Sequence, residues 1–87
     1  MEWIDELAEM LAQEPLTDGE VTTLLATARS VAHRVERRVT PLSAFLLGCA
    51  VGHGLQDGTA TRAELVRETI AQLEALLPPD PGNDGTG

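Results

Sequence analysis

Residues 28–54 read ARSVAHRVERRVTPLSAFLLGCAVGHG, and the fold turns on where this run is cut. Thr40-Pro41 supplies the cut: a threonine able to cap a helix, then a proline whose missing N–H costs nothing in a first helical turn. Upstream, Val21, Leu24, Leu25, Ala28, Val31, Ala32 and Val35 recur at i, i+3, i+4, i+7, which predicts a helix over residues 20–37. Downstream, residues 42–55 are apolar or small almost all round. That pattern predicts a central helix, packed by its neighbours on most sides.

The flanks complete the pattern. Trp3, Ile4, Leu7, Met10 and Leu11 predict a first helix over residues 2–13, with Glu2, Asp5 and Glu6 near its positive dipole end. Pro15 follows that helix, and Asp18-Gly19 turns the chain into the second. Gly54 ends the third helix, with Asp57-Gly58 in the turn. Thr61 and Glu64 read as a capping box opening a fourth helix, whose buried stripe is Ala63, Leu65, Val66, Ile70, Leu73, Leu76 and Leu77. Pro78-Pro79 stops it. The expectation is an all-α, compact four-helix domain over residues 1–77. Its expected core includes Leu24, Leu25, Ala28, Phe45, Leu46, Cys49, Ile70 and Leu73, and residues 78–87 form a disordered Pro/Gly/Asp tail.

Composition bounds the function. At 87 residues the chain supports a single core, because a protein of this size buries only roughly 60–65% of the surface its unfolded form exposes. Trp3 and Phe45 are the aromatic residues, so the core must be built from Leu, Val, Ala and Ile. The lone Cys49 excludes an intramolecular disulfide and fits a reducing compartment. No secretory signal opens the sequence, and the apolar run 41–55 falls short of the ~20 residues a bilayer requires. A cytoplasmic location is expected. A net charge of −8 and a pI near 4.4 set most of the surface against nucleic acid and anionic lipid.

Against that charge, four of the six basic residues, Arg29, Arg34, Arg37 and Arg38, gather beside the second turn. A helical wheel centred on Ala28 and Val35 puts Ser30, His33, Arg34 and Arg37 on the opposite, exposed stripe. Thr40 and Ser43 follow at the start of the next helix, where free N–H groups can hold an anion and arginine forks can grip phosphate or carboxylate. His33, Arg34, Arg37, Arg38, Thr40 and Ser43 are therefore a candidate anion- or partner-binding corner. The plainer reading is that arginines in a last turn complement the helix dipole. Ala44, Gly48 and Gly52 lie four apart and line one side of the third helix, a pattern that suits close helix packing or a subunit interface. His33 and His53 have no metal-ligand spacing. Ser30 and His33 lack an orienting acid, so no catalytic role is assigned, and no cofactor is expected.

The order "EWIDELAEML", then Ala28, Arg29, Val31, Ala32, His33, Val35, Arg37, Pro41, Leu42, Phe45, Leu46, Gly48, Ala50 and Gly52, resembles a small uncharacterised bacterial domain family of high-GC organisms. Its members occur alone or fused behind MobA-like molybdenum cofactor guanylyltransferases. The resemblance spans about residues 3–77 and carries no chemistry of its own. By association it implies an accessory role near molybdopterin guanine dinucleotide synthesis. The partner would be a MobA-like guanylyltransferase or a molybdoenzyme maturation factor, and a phosphate-bearing ligand is another candidate. The alternative is a structural homodimer whose small third-helix face packs on its symmetry mate.

Overall fold

The computed structural model describes residues 2–80: α1 (Glu2–Met10), α2 (Asp18–Arg34), a 3-10 turn (Arg37–Val39), α3 (Thr40–Leu55) and α4 (Arg62–Leu76). Among the described residues there is no strand, so the all-α, four-helix class holds. The expected disordered tail lies outside the described residues, except for positions 78–80.

Two capping boxes start the two longer amphipathic helices. At α4 the expected box forms, with Thr61 N–H donating to Glu64 Oε1 at 2.9 Å and Glu64 N–H to Thr61 Oγ1 at 3.2 Å. At α2 a second box forms from Thr17 and Glu20, so this helix begins at Asp18 rather than in a turn there. α1 stops at Met10, earlier than residue 13. Gln13 N–H returns to Ala8 C=O and Ala12 N–H to Glu9 C=O, a Schellman closure that puts Ala12 at φ 58°. α4 ends before Pro78, with Leu77 extended as a residue preceding proline should be.

The second turn differs from its expected form. α2 ends at Arg34, Glu36 is extended (φ −169°, ψ 138°), and the 3-10 turn runs directly into α3. Thr40 has helical angles, and its N–H donates to Arg37 C=O. It is a first-turn residue of α3 rather than the N-cap, a position held by Val39. Pro41 still sits in the first turn, where no donor is needed.

The core is Val31 of α2, Leu47 and Val51 of α3, and Val66 and Ile70 of α4, with Leu24, Leu65 and Leu73 packed around it. α3 packs on α4 and α2, whereas α1 touches the rest most lightly and buries none of its residues. Ile70, Leu73, Leu24 and Ala28 thus lie inward or half-buried as expected, but Leu25, Phe45, Leu46 and Cys49 are exposed. Both errors have one cause. The buried side of α2 centres on Leu24, Thr27 and Val31, roughly 50° from the sequence's apolar centre, because the flank carrying Leu25 faces the lightly packed α1. α3 likewise meets neighbours only along its Leu47 and Val51 side. It lies between α2 and α4 but is exposed along most of its surface rather than packed on most sides, despite being apolar all round.

Glycine packing also moves. A Cβ added to Gly48 or Gly52 would meet nothing within 4 Å, whereas one at Gly54 would come within 2.7 Å of Leu65 Cδ2. Gly54 lies inside α3 and permits its approach to α4, so it is the close-packing glycine. Gly58, at φ 73°, makes the turn between the two helices.

Candidate functional site

The light seating of α1 leaves a groove of about 410 Å³ between α1 and α3, with α2 and α4 as its floor. Ile4, Leu7, Ala8 and Leu11 form one wall; Thr40, Ala44, Gly48, Gly52 and Leu55 form the other; Leu24, Leu47, Val51 and Val66 lie between. The small residues of α3 thus border an open groove rather than a helix–helix contact. This volume and apolar lining fall in the range of ligand and peptide sites.

Polar groups mark both ends. At one end Arg62 ties the frame together: its Nε donates to Glu20 Oε2 at 2.9 Å and its Nη2 to Glu20 Oε1 at 2.7 Å. The same guanidinium reaches the carbonyls of Glu14 at 2.8 Å and Pro15 at 2.7 Å, so one side chain holds the α1–α2 linker, the start of α2 and the start of α4. Hydrogen bonding from Arg62 holds the Glu20 carboxyl below the usual glutamate range, against the opposing effect of burial. The partner effect raises the Arg62 pKa. At the other end Thr40 Oγ1 is buried in the groove wall without a hydrogen-bond partner among the described residues. A buried hydroxyl left this way costs about 1–3 kcal/mol.

The predicted corner is divided between two places. Thr40 lines the groove, as does Ser43, whose hydroxyl donates to Thr40 C=O at 2.8 Å. His33, Arg34, Arg37 and Arg38 do not line it. His33 Nε2 lies 3.1 Å from Asp80 Oδ1, which brings the segment after α4 back onto α2. Arg38 Nε lies 3.3 Å from Glu36 Oε1, Arg34 is half-buried at the end of α2, and Arg37 is exposed on the 3-10 turn. The 3-10 turn also precedes the first turn of α3, so that helix start is less open to an anion than a capped end would be. Ser30 is half-buried on the flank of α2.

Glu20 and Arg62 are the residues that sequence reasoning passed over. Their signal was present in Thr17-x-x-Glu20, a second capping box of the type recognised at Thr61. Nothing local shows that the same glutamate meets an arginine 42 positions away. Among the described residues no group of three or more His, Cys, Asp or Glu could hold a metal ion, and no helix is long and apolar enough to cross a membrane.

No curated protein and no solved structure matches this chain. One family model does, over residues 1–84, and its description is a domain of unknown function, DUF6457.

Proposed function

The chain belongs to the DUF6457 family, and from that premise we propose that it is a non-catalytic interaction module whose α1–α3 groove receives an amphipathic helix of a protein partner. The observation that carries this is the open small-residue wall. Gly48 and Gly52 present bare backbone to a groove of about 410 Å³, and a helix can lie close only against residues of that size. α1, the opposite wall, is amphipathic and buries none of its residues, so it can close over an occupant. Arg34 and Arg37 stand just before Thr40 in sequence and favour a partner whose helix ends in carboxylates, or one carrying a phosphate.

The partner class we propose is a MobA-like guanylyltransferase, the one the family resemblance implies, with the module acting beside molybdenum cofactor synthesis in the cytoplasm. The test is titration of the full chain with a purified MobA-like guanylyltransferase. Binding should vanish in Gly48→Leu, which fills the groove. It should weaken about 10-fold to 100-fold in Arg34→Ala with Arg37→Ala. A wild-type chain that does not bind, or a Gly48→Leu chain that binds equally well, removes the reading.

A further inference from the structure

A different face of α3 carries an inference of its own. Leu42, Phe45 and Leu46 are 62%, 70% and 68% exposed, and Cys49, Ala50 and His53 are exposed beside them. At 100° per residue these six positions fall on one side of the helix, away from the Leu47 and Val51 side that meets the core. The first three alone leave on the order of 400 Å² of apolar surface in water, about half of the ~800 Å² that each partner of a stable complex contributes.

We infer that the chain forms a twofold homodimer by packing this outer face of α3 antiparallel against the same face of a second copy. Charge restricts two copies to this face. Two copies at −8 each repel over most of their surface, and α3 is the helix with no Asp, Glu, Lys or Arg anywhere from Thr40 to Leu55. Charge also selects the direction. With the twofold axis midway between Leu46 and Cys49, Leu46 of one copy opposes Cys49 of the other, and Leu42 opposes His53. In that register Arg38, exposed before α3, opposes Asp57, exposed just after it. Both flank α3, one in the 3-10 turn and one in the turn that follows the helix. A parallel pairing would instead set Arg38 against Arg38 and Asp57 against Asp57, and would align the helix dipoles.

Sedimentation equilibrium of the full chain over a wide concentration range tests this. Wild type should approach twice the 9.3 kDa monomer mass. Leu46→Lys, at a side chain already in water, should keep its helical circular dichroism while its dimer dissociation constant rises about 100-fold, since a lysine would be buried unpaired. Arg38→Glu should weaken the dimer about fivefold, and adding Asp57→Arg should restore it. A bis-maleimide bridging about 8 Å, on the order of the 8–10 Å between packed helix axes, should join the two Cys49 thiols of wild type but not of Leu46→Lys. A monomer at every concentration, or a dimer that Leu46→Lys leaves intact, overturns the inference. A dimer whose Arg38→Glu defect Asp57→Arg deepens overturns the antiparallel register.

Discussion

Arg62 Nη2 lies 2.7 Å from Glu20 Oε1, joining the first turn of α4 to the first turn of α2. Glu20 is already the N3 residue of the Thr17 capping box, so a single carboxylate closes a helix end and anchors an arginine. Both side chains are largely withdrawn from water, at 8% and 24% exposure. Losing one partner therefore strands the other. Glu20→Gln should cost about 2–4 kcal/mol at neutral pH, a large share of the stability of so small a domain. Arg62→Lys should not substitute, because an ammonium cannot make the two-pronged contact and also reach the Glu14 and Pro15 carbonyls. Urea melts of the three proteins would measure both effects; a Glu20→Gln midpoint equal to wild type would show the pair to be dispensable.

The same pair sets an acid limb. The folded-state pKa of Glu20 is lowered, so its contribution is fully present above the unfolded glutamate value of about 4.3 and is lost as pH falls through that value toward the folded one. The stability gap between wild type and Glu20→Gln should accordingly be widest near neutrality and shrink below about pH 5. Thermal melts from pH 7 to pH 3 would show a constant gap if the carboxylate's charge were irrelevant.

Two glycines of α3 should respond in opposite directions. Gly48→Leu gains helix propensity of roughly 0.8–1 kcal/mol and enters open space, so the melting temperature should hold or rise. Gly54→Leu drives a side chain into Leu65 and should cost about 1–3 kcal/mol despite the same propensity gain. Reversal of that order in differential scanning fluorimetry would mean that α1 closes on Gly48 in solution.

Ala12 holds a left-handed conformation at the end of α1, and it is exposed. Ala12→Gly removes a penalty of about 1–2 kcal/mol and adds backbone entropy to the unfolded chain. A net gain of about 0.5–1 kcal/mol follows, visible as a melting temperature raised by several degrees. A lowered temperature would indicate that the Ala12 methyl contributes packing.

α1 should open before the rest of the molecule. It buries none of its residues, while α3 and α4 share the core, so its amide hydrogens should exchange at a lower free energy than those around Val51 and Ile70. Hydrogen exchange that protects all four helices equally would contradict this. The result bears directly on whether the groove can close around a partner.

The sequence by itself determined the helices. Apolar spacing in residues 20–37 and 61–77, the Thr61 box and the prolines at 41 and 78 act within a few residues, and each led to a helix or a helix end that the structure contains. It also determined the buried face of α4, apart from the exposed Ala63 and Leu76, but not the faces that α2 and α3 bury. The apolar stripe of α2 is wide enough to serve two neighbours, and the light seating of α1 left Leu25 outward and put Thr27 inward beside the expected Val31. α3 gave no facial signal at all, because a helix apolar on every side looks central from its sequence alone. Its exposed Phe45 and Leu46, the groove along Gly48 and Gly52, and the contact of Gly54 with Leu65 were decided by the neighbours it happens to meet. The Glu20–Arg62 bond belongs with these, since pairing across 42 residues depends on the path of the chain and leaves no local trace.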